Sequence, residues 1–473
     1  MRVSSVGRNR LGVSHDEPLL CERQRVEDAG LNTSLRSRFW LFMLLLSVAL
    51  VACTPNRAYH TRAPAPDEPL CVAALPSGCA DEVWYRVRAE AEATEEKRQP
   101  EQPVYLGFVE FDDQGALHDP SLKDAVINRI DALAQQQSVL MVVFAHGWKH
   151  NASADDPNVI DFANVLSRIA YYDEMVCAHR SCAGRQVIGV YLGWRGLSAT
   201  TEPFKEISFY SRKSRAHRVG TDGAVEVLAQ LAKIKAIKRT GQGNDNQLII
   251  TGHSFGGALI YSAVQQQLVR DTAFPANGLI PRSSANLIAL VNPAFEAARF
   301  ATLERRARTL EHARNQRPIL AVFTSRGDTA TKIAFPLGRG LSTSLQQHVS
   351  KKQARQNRTA LGHYMPFVTH DLDLKQDPAM GDDQTVQMRA FQDIGCDWQN
   401  FQFGATHVWR LGELELSRRP HMQQGSQPQN PIYNVSVDAA IIANHNAIWG
   451  ETFSEFLYRF VAVQTLPAGR ECR

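Results

Sequence analysis

Charge of one sign is what this chain lacks most. Its 52 lysines and arginines stand against 48 aspartates and glutamates, a net of +4 over 473 residues. Composition therefore gives no electrostatic case for nucleic-acid binding. Cysteine is sparse, eight residues with no CxxC pair and no histidine at zinc-finger distance, which argues against a metal site. No internal repeat is present. Long hydrophobic runs are missing except for one, Phe39 to Ala52. As a helix that run reaches only about 21 Å, short of the ~30 Å hydrocarbon core of a bilayer. What remains is a globular mix, 44 % hydrophobic and 21 % charged, which excludes collagen-like, coiled-coil and wholly disordered chains. The length suits one large domain, or somewhat more.

The single apolar run follows Arg36 and Arg38 and ends in small residues, the pattern of an export signal. Its last residues, Leu50-Val51-Ala52-Cys53, resemble the lipobox of bacterial lipoproteins. That resemblance implies cleavage before Cys53 and lipid on its thiol and new amine, which anchors the chain to a membrane. Thr54, where an aspartate would favour retention at the inner membrane, points to the outer membrane, facing the periplasm. The polar leader before the run is unusually long, which a start codon assigned too far upstream would explain. Setting aside Cys21 and Cys53 leaves six cysteines. An oxidising compartment lets them pair, and of the 15 possible sets we expect Cys71–Cys79, Cys177–Cys182 and Cys396–Cys472.

Beyond the signal (1–53), residues 54–100 read as a proline-containing tether followed by a helix over 81–97. From residue 101 to 335 the chain alternates solid apolar runs with helical patterns. The runs lie at 104–111, 138–145, 186–193, 247–252, 286–291 and 319–324, with a last one at 433–438. The helical patterns lie at 120–135, 157–171, 221–239 and 256–270. Runs that are apolar throughout suit strands covered on both faces, so we expect a doubly wound α/β domain with a mostly parallel sheet. Residues 336–430, rich in Gln, Asn, Arg and His, break the rhythm and read as an insertion packed onto the sheet. Their one clear strand signal is 407–416. Residues 431–473 supply the last strand, a loop and a terminal helix.

The strand QLIITG runs into Gly252-His253-Ser254-Phe255-Gly256-Gly257 and then a helix. This is G-x-S-x-G in a strand-turn-helix setting, where small flanking residues let a serine stand on a tight turn. A chain this long shows the bare pattern by chance about one time in ten, and a glycine-rich turn with a capping serine would look the same. Context decides. Upstream, SVLMVVFA ends at His146-Gly147-Trp148, where the Trp148 and Phe255 main-chain N–H groups can form an oxyanion hole. His146 reads as a residue that holds that loop. Downstream, ILAVFT leads to Asp328, and the last strand leads to His445 just before the terminal helix. The order serine, acid, histidine is that of the α/β-hydrolase triad. Asp438 and Asp371 are the alternative acids. Trp194 and Arg195, closing another strand, and His363 and His370, beside Tyr364, Met365 and Phe367, are candidate pocket residues.

On these motifs the sequence resembles the α/β-hydrolase superfamily, on its serine esterase and lipase side, over about 103–335 and 431–473. The resemblance implies Ser254 as nucleophile, His445 as general base and acid, and Asp328 as the orienting acid. It implies acyl transfer on a small-molecule or lipid ester, with no metal or organic cofactor. A non-catalytic, envelope-tethered binding protein on the same scaffold, or a serine peptidase or acyltransferase, are the rival readings. The insertion is expected to cover the serine in part, and its polar composition favours small or medium acyl chains.

Overall fold

Seven residues in a row, Val139 to Ala145, are apolar and every one is buried. Such a strand has no face for water, so layers must cover it on both sides. The structure, a computed structural model, describes residues 38, 40, 54–65, 68–73, 76–88, 100–180, 184–198, 204–237, 246–275, 277–342, 346–375 and 397–465. Residues 55–198 and 205–473 form one unit, and residues 1–54 with 199–204 a second.

The first half of the chain gives β1 (Val72–Ala73), β2 (Trp84–Val87), β3 (Val104–Phe111), α1 (Pro120–Gln136), β4 (Val139–Ala145), α2 (Pro157–Arg180), β5 (Gln186–Trp194), α3 (Phe204–Thr221) and α4 (Gly223–Lys235). The second gives β6 (Gln247–His253), α5 (Phe255–Ala273), β7 (Leu287–Val291), α6 (Ala297–Thr309), β8 (Leu320–Ser325), α7 (Phe335–Ser342) and α8 (Lys351–Arg358). It closes with β9 (His370–Leu374), β10 (Val408–Leu411), β11 (Leu414–Arg418), β12 (Ile432–Val437) and α9 (Glu451–Thr465). Helix starts carry their own signals. Asp119 accepts from Ser121 N ahead of α1, and Pro120 fills its first turn.

The strands form one sheet in the order β1-β2-β3-β5-β4-β6-β7-β8-β12-β9-β11-β10. From β3 through β9 every neighbouring pair is parallel. β2 runs antiparallel to β3, and β9, β11 and β10 alternate. Side chains of α1, α4, α5 and α6 share one core with Val143, Ile250 and Val322. Side chains of α2 and α9 share the other with Phe144, Ile249 and Phe323. The fold is α/β, with helices on both faces of an open sheet.

This order places a crevice. After β4 the chain crosses one face through α2, and after the adjacent β6 it crosses the other through α5. Two neighbouring strands whose connections leave on opposite faces open a gap between their carboxyl ends, where ligands bind in such sheets. Residues 146–148 and 254 emerge there.

Four expectations change. Residues 84–87 are a strand, not the start of a helix over 81–97. Trp84, Tyr85 and Val87 are buried and pair with β3, whereas the helix-forming composition lies in 89–99, outside the described residues. The run 407–416 is a hairpin, not one strand: Gly412 adopts φ 59° and Leu411 pairs with Leu414. The segment 336–430 does not only pack onto the sheet. It supplies β9, β11 and β10, which extend the sheet past β12. Helices α3 and α6, rich in arginine, are not among the helices the sequence pattern predicts. Cys71 and Cys79 are joined, and Cys177 is disulfide-bonded. Cys53, Cys182, Cys396 and Cys472 lie outside the described residues.

Close approach of α5 to β4 rests on one missing side chain. A Cβ at Gly256 would lie 2.0 Å from Ala145 O, whereas one at Gly340 would meet nothing within 4 Å. Gly256→Ala should therefore cost ~3 kcal/mol or more. Gly340→Ala, in α7, should be neutral or stabilise by about 0.5–1 kcal/mol. Thermal melts of the two variants check this, and equal melting temperatures would contradict it.

Candidate active site

Strand β6 ends at His253, and Ser254 turns the chain into α5 with φ 54° and ψ −118°. A non-glycine residue there costs about 1–3 kcal/mol and persists only where its surroundings fix it. They do. Ser254 N donates to Val291 O at 3.1 Å, and Ser254 O accepts from Ala294 N at 3.0 Å and Ala258 N at 3.2 Å. With the main chain fixed at both ends, the side-chain direction is set. Ser254 is 3 % exposed.

His445 meets it from the loop between β12 and α9. Its Nε2 lies 2.8 Å from Ser254 Oγ and its Nδ1 lies 2.8 Å from Asp328 Oδ2. Burial pushes the Asp328 carboxyl up, but the hydrogen bond and charge of His445 and the Thr331 donors outweigh it and hold it below its ordinary value. An ionised carboxylate only accepts, so Nδ1 carries the proton and Nε2 is left to accept from the Ser254 hydroxyl.

The histidine loop is fastened by residues that sequence reasoning missed. His253 Nε2 donates to His445 O at 2.8 Å, and Asn292 Nδ2 donates to the same oxygen at 2.9 Å. Asn292, at φ 45°, also accepts from Ser325 N, and Ser325 Oγ donates to Ile442 O. Gly327 brings the acid's turn against this loop, since a Cβ there would lie 2.3 Å from Ala443 O. Thr331 N donates to Asp328 Oδ1 at 3.0 Å, Thr331 Oγ1 donates to Oδ2, and His363 Nε2 stands 2.9 Å from Thr331 Oγ1. His253 was visible as the x of G-x-S-x-G, and Asn292 as an Asn-Pro ending a strand. Thr331 carried no signal.

Asp438 and Asp371, the alternative acids, are elsewhere. Both pair with Arg326 at 3.3 Å, and Asp371 also pairs with Arg419 at 2.7 Å. His370 is buried beneath Tyr433, with ring centroids 4.1 Å apart. Met365 is half exposed, while Tyr364 and Phe367 are buried against each other.

Across the crevice, Gly147 lies against the serine: a Cβ there would be 2.9 Å from Ser254 Cβ. Trp194 N donates to His146 Nε2 at 3.1 Å, so His146 carries its proton on Nδ1 and donates to Gly147 O at 3.0 Å. In a trans peptide the carbonyl and the following N–H point opposite ways, so the Trp148 N–H is turned away from His146. Among the described residues neither the Trp148 nor the Phe255 main-chain N–H has a hydrogen-bond partner. Trp194 stacks on His146 at 5.4 Å and donates from Nε1 to its carbonyl. Arg195 pairs with Asp113. Both therefore support the loops here. Among the described residues no group of three or more His, Cys, Asp or Glu side chains is placed to hold a metal ion.

No family model matches this chain, and no curated protein matches it.

Burial lowers His146 to about 4 and His253 to about 3. In the unfolded chain each takes a proton near pH 6.5. Between those values the unfolded state binds more protons, so stability falls as pH falls. From these two histidines we expect a loss of about 3 kcal/mol between pH 6.5 and 5. His253→Gln, which keeps a donor for His445 O, should remove about half of that pH dependence in urea titrations. An unchanged dependence would contradict the assignment.

Proposed function

We propose that the protein is a serine hydrolase of the α/β-hydrolase kind that cleaves carboxylic esters through an acyl-enzyme. The observation that carries this reading is the chain Asp328–His445–Ser254, with 2.8 Å at each link, standing in the crevice between β4 and β6.

The Ser254 oxygen attacks the ester carbonyl as its proton passes to His445 Nε2. Asp328 holds the imidazole in the required tautomer and stabilises its cation. The oxyanion that forms takes hydrogen bonds from the Trp148 and Phe255 N–H groups, a donor of this kind being worth about 2.7–4 kcal/mol of barrier. His445 then gives the proton to the departing alcohol, leaving Ser254 acylated. Water attacks the acyl-enzyme, again with His445 as base, and the acid and free serine are released. Burial of Ser254 and Asp328 supports this, because a hydrogen bond or ion pair to a charged group is stronger where water is excluded.

We further infer that the chain is exported and lipid-anchored at Cys53 in the bacterial envelope, at the outer membrane. The support is the lipobox-like Leu50–Cys53. No described helix is long and apolar enough to cross a membrane. Small or medium acyl chains are the proposed substrates, on the polar composition of 336–430.

Ser254→Ala should fold normally yet lower hydrolysis of a nitrophenyl ester at least ~10³-fold. Asp328→Asn should lose most activity, by up to ~10⁴-fold, while Asp438→Asn should retain it. Turnover surviving Ser254→Ala sinks the reading, and loss in Asp438→Asn alone moves the acid. Separately, mass spectrometry of the mature N-terminus should find lipid on Cys53, and Cys53→Ser should release the protein from membranes. An unmodified Cys53 refutes the anchor.

A further inference from the structure

The hydrogen-bonded chain does not stop at Asp328. Thr331 Oγ1 lies within reach of both Asp328 Oδ2 and, at 2.9 Å, His363 Nε2. A hydroxyl has one hydrogen. The carboxylate can only accept, so that hydrogen goes to Asp328 and His363 Nε2 must itself be a donor. Asp328, with no solvent exposure, then accepts from Thr331 N, Thr331 Oγ1 and His445 Nδ1. A carboxylate that shares its charge among several donors is a weaker acceptor for each of them.

His363 is held where this requires. Its turn, residues 361–363, is fixed by Leu361 N donating to Phe295 O at 3.0 Å. Gly362 lies so near β8 that a Cβ would come 1.8 Å from Thr324 Oγ1. The adjacent Ala360 bridges Glu296. These contacts fasten the turn to β8 and to the chain leaving β7, the strands that flank the site. Thr331 is 2 % exposed, so water has little access to replace either of its partners.

We propose that His363 and Thr331 are positioning residues, and that through the direction of one hydroxyl hydrogen they set how strongly Asp328 holds His445. The proposal rests on the hydrolase reading for its kinetic consequence, but not for its structural one. It makes the segment 336–430 part of the site's hydrogen-bonding chain. The titratable and charged groups facing this chain are His253 on the His445 side and Lys332 beside His363.

Two pairs of variants of the full chain test it. Thr331→Ser and His363→Gln keep the hydroxyl and an N–H donor, while Thr331→Val and His363→Leu remove them. The first readout is the proton NMR resonance of His445 Nδ1–H. It should move downfield in the Val and Leu variants, as Asp328 becomes the stronger acceptor, and stay in place in the Ser and Gln variants. The second is the acid limb of kcat/KM on a nitrophenyl ester, expected to rise by about half a pH unit in the same two variants only. If resonance and acid limb both stay at wild-type values in Thr331→Val and His363→Leu, the proposal is overturned, whatever the enzyme hydrolyses. A shift in the Ser or Gln variant would also overturn it, and these two carry the test should the Val variant not fold. If the resonance moves as expected but wild type turns over no ester, the positioning stands and the hydrolase reading falls.

Discussion

The turn at Ser254 is the constraint from which the rest of the site follows. A serine at φ 54° is costly, and the surrounding chain offsets that cost with hydrogen bonds from three directions. The same turn starts α5, and α5 can start there only because Gly252 and Gly256 leave room. At Gly252 a Cβ would lie 2.7 Å from Gly256 O. Helix α5 is thereby pressed onto β4, which brings Gly147 against the serine. Geometry at one residue thus fixes the distance between two adjacent strand ends.

Electrostatics complete what the turn begins. Four parallel strand ends, those of β4, β6, β7 and β8, deliver His146, His253, Asn292 and Asp328 to one region. Two of these residues hold the His445 carbonyl, one holds its ring, and His146 holds the Gly147 peptide. Burial keeps His146 and His253 neutral, so each serves as a donor of fixed tautomer. The ionised member is Asp328, and its charge is met by directed donors instead of water. Such a region is preorganised: little has to move for charge to develop next to Ser254.

Much of this was legible in the sequence because parallel sheets write themselves plainly. The runs 104–111, 138–145, 186–193 and 247–252 fall on β3 to β6 almost residue for residue, since strands buried on both faces carry no polar alternation. The residues brought together at the site, Ser254, Asp328 and His445, lie just beyond the ends of such runs, where position along the chain gives position on the sheet. What stayed hidden depends on packing between distant segments. β2 reads as helix because its neighbours 89–97 are rich in Ala and Glu, and only pairing with β3 overrides that preference. β9 is short, with aspartates at 371 and 373 that pair with Arg326, so it shows no apolar run. Thr331 and His363 are 32 positions apart, and nothing local marks either as a partner of Asp328.

We propose Ser254 as a nucleophile activated by His445 and Asp328. Treatment of the intact protein with a fluorophosphonate, followed by digestion and mass spectrometry, tests it most directly. One phosphonylated residue is expected, Ser254, with labelling abolished in Ser254→Ala and strongly slowed in His445→Ala. Labelling at a different serine, or none in a folded protein, would contradict it.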